Sequence, residues 1–143
     1  METSLALIAE AMAPAGDPWW VIGSAAVALH GADPGSIEDI DIVLSVTDAR
    51  RVLPAIGVAL TPGSSDGQFR STIYNRWAVP AHPAEFMAGF ELYEDGAWSP
   101  VGFATREQVR SGIFVPSHDE LHALLLRFGR PKDLRRAASL RSA

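Results

Sequence analysis

The chain has 143 residues, enough for one domain with one interior. Hydrophobic residues make up 48% and charged residues 20%, which excludes a disordered chain, and the absence of cysteine excludes a disulfide framework, a thiolate zinc site and a cysteine nucleophile. The formal charge is −5, split between −9 over residues 1–105 and +4 over residues 106–143. An acidic body with a cationic tail argues against a nonspecific nucleic-acid binder and suggests that the tail folds back on the body.

In chain order, Leu5, Ile8, Ala9 and Met12 keep helical spacing, so a first helix is expected over about 3–13, stopped by Pro14 and Gly16. This opening segment lacks a basic n-region and does not read as a signal peptide; no run is long enough to span a membrane. The expectation is a soluble, cytoplasmic protein. Trp19–Ile22 reads as a short buried strand ending at Gly23, and Ser24 as the N-cap of a small-residue helix closed by Gly31.

A second strand is expected over Ile37–Leu44, then a helix capped by Thr47 that reaches about Ile56. Residues 61–67 form a loop. Strands are expected at Phe69–Tyr74, at Ala84–Met87 and near Pro100–Phe103, with a hairpin-like turn at Glu94-Asp95-Gly96. The segment from about 117 to 141 reads as two helices. Ser117-His118-Asp119-Glu120 has the form of a capping box, Gly129 ends the first helix and Pro131 opens the second. No long linker or repeat divides residues 1–143. The expected architecture is α+β, a small mixed sheet carrying helices, in a single domain.

The chemistry concentrates in Val21-Ile22-Gly23-Ser24 and Asp39-Ile40-Asp41. On one strand, Asp39 and Asp41 share a face at a separation of roughly 6.6 Å. Two like charges on an apolar strand need a cation, and magnesium suits carboxylates plus a phosphate; the plain alternative is a solvated edge strand. A strand that runs through Gly23 into a helix leaves backbone N–H groups free for an anion, and Ser24 offers a hydroxyl. His118 and His122 share a helical face, but His30, His82, His118 and His122 form no convincing zinc pattern.

Gly23-Ser24 followed by Asp39-Ile40-Asp41, together with Gly129-Arg130-Pro131-Lys132-Asp133-Leu134, resembles the nucleotidyltransferase superfamily of DNA polymerase beta and kanamycin nucleotidyltransferase, in its minimal bacterial form. The resemblance runs from about Trp19 to Leu140. It implies a nucleotidyltransferase-like fold in which Gly23, Ser24 and Lys132 hold a nucleoside triphosphate such as ATP. Asp39, Asp41 and a third carboxylate would bind magnesium in a two-metal site and carry catalysis. Glu85 is the best match for that third acid, and Glu91 competes with it if the strand is unbroken. The implied reaction moves a nucleoside monophosphate to an acceptor hydroxyl on a small molecule or a partner protein. The alternative is an antitoxin-like module that binds nucleotide or a toxin-like protein without turnover; Ile37 stands where many members carry a hydroxyl. No membrane partner is expected, nucleic acid is disfavoured, and an oligomer would suit so small a chain.

Overall fold

The computed structural model describes residues 1–142. Its chain order is α1 (Glu2–Met12), β1 (Trp20–Ile22), α2 (Gly23–Leu29), β2 (Ile40–Leu44), α3 (Val46–Ala55), β3 (Phe69–Arg70), β4 (Ile73–Trp77), β5 (Ala84–Ala88), β6 (Glu91–Glu94), β7 (Ala97–Pro100), β8 (Glu107–Arg110), β9 (Ile113–Val115), α4 (His118–Phe128) and α5 (Pro131–Ser142). The architecture is α+β. The main sheet has the order β1-β2-β5-β4, a second sheet is β3-β6-β7, and β8-β9 is a separate hairpin.

The main sheet is mixed. β2 pairs parallel with β5, while β1 and β4 flank them antiparallel. Register places Ile22, Asp41, Glu85 and Arg76 in one row across all four strands. Because side chains alternate along a strand, that row shares its face with Val43 and Met87, while Val21, Ile40, Ile42, Leu44, Phe86 and Ala88 point the other way. The second group packs with Leu5, Ile8, Val52 and Leu53 of α1 and α3 into the large core. Burying such branched and aromatic side chains stabilises a domain by about 1.5–3 kcal/mol each. On the row's own face, Ile22, Val43 and Met87 form a smaller cluster with Phe90, Leu92, Leu124 and Phe128.

Several boundaries differ from the sequence expectation. The strand expected from Ile37 begins only at Ile40, leaving Asp39 just ahead of it. Ser24 is not a cap: α2 starts at Gly23, and buried Ser24 lies inside its first turn. The cap of α3 is Ser45 rather than Thr47, and its Oγ accepts from Asp48 N at 3.0 Å. Phe69–Tyr74 is two strands, split at Ser71-Thr72 and lying in different sheets. The strand expected near Pro100–Phe103 is β7, three residues earlier in onset, and the β8-β9 hairpin adds a further pair.

The box at α4 is only half made. Ser117 Oγ accepts from Glu120 N at 3.2 Å, but Glu120 turns away to accept from Ala104 N and from both the N–H and the hydroxyl of Thr105. Thr105 Oγ1 in turn receives Ser117 N at 2.8 Å. The carboxylate thus ties an irregular segment to the helix instead of closing the cap. Gly129 ends α4 with φ +67°, and Pro131 opens α5.

Candidate active site

The site begins where β1 passes into α2. Gly23 has φ +68°, a conformation that disfavours any side chain, and a Cβ placed there would lie 2.7 Å from Asp41 Oδ2. Glycine is therefore required twice at this position. It lets the start of α2 approach the carboxylate of the neighbouring strand.

Asp41 and Glu85 are register partners on the central parallel strands, so their carboxyls lie side by side. The cleft leaves part of Asp41 within reach of water, yet protein atoms surround its carboxyl closely. Burial is the main reason its pKa is pushed up to about 7, followed by the charge of Glu85, a hydrogen bond shared with Glu85, and the charge of Asp39. Lys132, on α5, opposes the shift. A hydrogen bond between two carboxyls requires a proton on one of them. Near neutral pH Asp41 is poised between its protonated and charged forms.

Asp39 is balanced differently. Arg76 Nη2 of β4 lies 2.9 Å from Asp39 Oδ1, an ion pair by distance. The same oxygen is buried with no partner in hydrogen-bond geometry, so the contact is electrostatic rather than directional. Two residues earlier on β4, the Tyr74 phenol has its pKa raised, by burial first and then by the nearby Glu85 carboxylate. The edge strand thus pairs Arg76 with Asp39 and sets Tyr74 beside Glu85.

These acids line a cleft of about 820 Å³. Gly23 and Ser24 form one rim, and α5 supplies the opposite wall with Lys132, Arg135 and Arg136. Arg136 Nε donates to Pro34 O at 3.1 Å, fastening the wall to the loop ahead of Asp39. Buried Asp133 accepts from both the backbone N and the guanidinium of Arg130, at 3.2 and 2.6 Å, and so shapes the first turn of α5. The cationic tail folds back on the acidic body, as the charge split suggests. The far end of the cleft is apolar: Phe69 lies 4.9 Å from Phe128 and 5.6 Å from Phe90, with the Arg130 guanidinium 4.9 Å from Phe69.

Of the sequence candidates, Gly23, Ser24, Asp39, Asp41, Glu85 and Lys132 all line this cleft. Glu91 does not. Gly89, with φ +63°, breaks the strand after β5, and Glu91 enters the second sheet to bind Arg70 at 2.8 Å. The histidines lie elsewhere: His30 Nε2 and His118 Nε2 each contact a backbone carbonyl, of Pro116 and Leu140, at 2.8 and 2.7 Å. Tyr74 and Arg76 escaped the sequence reading, because the strand was expected to end at Tyr74. Their alternation, two apart on a strand beside Glu85, was the available signal.

The donor set suits a hard divalent cation in its chemistry, since three carboxylates offer oxygen ligands and Asp39 Oδ1 is a buried oxygen lacking a hydrogen bond. As the side chains stand, no three acidic or imidazole groups among the described residues converge on one point.

Two solved structures resemble the whole architecture. A Thermotoga maritima protein assigned as a nucleotidyltransferase superposes with a TM-score of 0.73 at 25% identity, over 99% of this chain and 90% of its own. The chain has a nucleotidyltransferase-like fold. The antibiotic-resistance factor ANT(2'')-Ia shares that fold more distantly, with a TM-score of 0.58 and 11% identity over 98% of this chain and 82% of its own. No family model and no curated protein matches the sequence. Within the nucleotidyltransferase-like fold, no helix among the described residues is long and apolar enough to cross a membrane.

Proposed function

We propose that this protein is a magnesium-dependent nucleotidyltransferase, moving a nucleoside monophosphate from a triphosphate such as ATP to an acceptor hydroxyl, which loses its proton, with pyrophosphate as the leaving group. The observation that carries the reading is the juxtaposition of the Asp41–Glu85 pair with Gly23 on one side and the α5 cations on the other, in a nucleotidyltransferase-like fold. Asp39, Asp41 and Glu85 are the residues that would hold magnesium. Bound there, the metal supplies Lewis-acid stabilisation of the attacking and leaving oxygens in an in-line displacement.

The chain's own groups divide the remaining work. Backbone N–H groups at Gly23 and Ser24, with the Ser24 hydroxyl, face the cleft and suit phosphate oxygens. Lys132 stands across from them, where it offsets charge on the phosphates as it does on Asp41. One carboxylate of the row would stand close enough to help remove the acceptor's proton. The apolar end around Phe69 excludes water and offers ring faces to a base or an apolar acceptor. The acceptor is a small molecule or a partner protein.

One observation favours a second reading, nucleotide binding without turnover in an antitoxin-like module. Asp39 is engaged by Arg76, and a cation fixed there would leave binding intact while displacing the reacting geometry. A triphosphate labelled at the α-phosphate separates the two. Transfer of label to an acceptor in cell extract, lost in Asp41→Asn, is the result expected of the enzyme; magnesium-dependent binding with no transfer is that of the module.

A further inference from the structure

Edge strand β4 does more than finish the sheet. Arg76 shares a register row with Glu85, one strand in, and reaches past it to Asp39, which precedes β2. The guanidinium lies 2.9 Å from an oxygen that is buried and makes no hydrogen bond. A side chain chosen to satisfy that oxygen structurally would donate to it along a hydrogen-bond line. What Arg76 supplies instead is charge. Its own side chain is half exposed at 53%, so it can leave without opening the core, whereas Asp39 at 22% cannot follow it.

We infer that Arg76 is a resident cation for Asp39, and that a divalent ion binding the carboxylate row exchanges with its guanidinium, which swings free into the cleft mouth. Arg76 is thus a positioning residue that sets the metal affinity of the site. This rests on the reading that Asp39, Asp41 and Glu85 hold a divalent cation. Three physical points support the exchange. Asp41 and Glu85 have no comparable arginine among the described residues: neither carboxylate makes an ion pair, and Asp41 has only the more distant opposing charge of Lys132. Arginine stays charged at any relevant pH, so the competition cannot be relieved by deprotonation. And a half-exposed ion pair is weak, which lets a divalent ion win it at modest cost.

The test is a calorimetric titration of manganese into the full chain without nucleotide, for wild type, Arg76→Gln, Arg76→Lys and Arg135→Gln. Arg135 lines the same cleft and is exposed, so its loss removes an equal charge without touching Asp39. The exchange predicts that Arg76→Gln binds manganese about three- to fivefold tighter, the worth of one half-exposed pair. Arg76→Lys should stay near wild type and Arg135→Gln should change by less than twofold, by roughly the same accounting. An unchanged or weaker affinity in Arg76→Gln overturns the inference, as does an equal gain in Arg135→Gln, which would mark a general field effect. Wild type that binds no manganese, or binds it equally well after Asp41→Asn, overturns the carboxylate reading and the exchange with it. Circular dichroism of each variant checks that the fold is kept.

Discussion

The two faces of the main sheet are made from alternate residues of the same strands, and they obey different rules. One face places Ile40, Ile42, Phe86 and Ala88 against α1 and α3, each at no more than 1% exposure. The other begins with the same kind of packing at Val43 and Met87, then gives way within one step along β2 and β5 to Asp41 and Glu85. The first face satisfies every local preference of a buried strand. The second departs from them only where the cleft opens, and what it gives up there is electrostatic: a carboxyl in a site that disfavours its charge. Local conflict of this kind, confined to one end of one face, is expected of a functional site rather than of a poor fold.

The comparison can be broken from the core side first. Phe86→Ala removes a fully buried ring between β2 and β4 and should cost about 3–5 kcal/mol, a fall of roughly 10 °C or more in the melting temperature. Gly23→Ala comes next. It forces a side chain into a positive-φ position against Asp41 Oδ2 and should cost about 1–3 kcal/mol, while weakening nucleotide binding at least about tenfold by displacing that carboxylate. Calorimetric melting and a nucleotide titration on the same preparation read both effects.

The polar face should answer in the opposite direction. Because the folded pKa of Asp41 lies near 7 against an ordinary 3.8, the folded chain binds more protons than the unfolded one between about pH 4 and pH 7. Its contribution is therefore complete below about pH 4 and is lost as pH rises through 7. Asp41→Asn removes that loss. Without divalent metal its melting temperature should match wild type near pH 4 and exceed it at pH 8, by about 1–2 kcal/mol of added stability. Adding magnesium at pH 8 should raise the wild type and not the variant. Wild type and Asp41→Asn melting in parallel across the pH range would remove the contrast between the faces.

The smallest effect is expected at the sheet edge. Tyr74→Phe deletes the hydroxyl beside Glu85 and keeps the ring, so stability should change by less than about 1 kcal/mol. Its value lies in nucleotide binding, read by titration beside wild type: the loss should be smaller than that of Gly23→Ala, since the carboxylate row itself is kept.

Asp41, Glu85 and Gly23 were legible in the sequence because each breaks a local pattern: acids inside apolar runs, and a glycine where a strand turns into a helix. Asp39 was found by its spacing, but not its position before the strand, since nothing in Ile37-Glu38-Asp39 marks where pairing with β5 begins. Arg76 and Tyr74 were hidden for a related reason. β4 is an edge strand with alternating exposure, and its polar residues look like ordinary solvent-facing positions until β5 places Glu85 opposite. The β8-β9 hairpin was missed because Glu107-Gln108-Val109-Arg110 is exposed over most of its length and carries no apolar alternation. The caps failed where two hydroxyls competed, as at Ser45 and Thr47, and tertiary partners chose between them.

The parallel pairing of β2 with β5 has a consequence for how the domain behaves as a unit. Asp41 and Glu85 stand 44 residues apart in sequence and meet only through that pairing. Parallel neighbours cannot be joined by a tight turn, and here α3, β3 and β4 all lie in the intervening chain. Closing so long a loop carries an entropic cost that local contacts do not repay. Half of this protein therefore has no half-site to offer: a fragment ending before β5 holds one aspartate of the pair and none of its partner. A ligand that engages both carboxyls binds a whole-domain contact, so its free energy is felt by every element that must be in place for the two strands to meet. Hydrogen exchange should show that coupling as slowed opening of α1 and α3, on the far side of the sheet from anything the ligand touches.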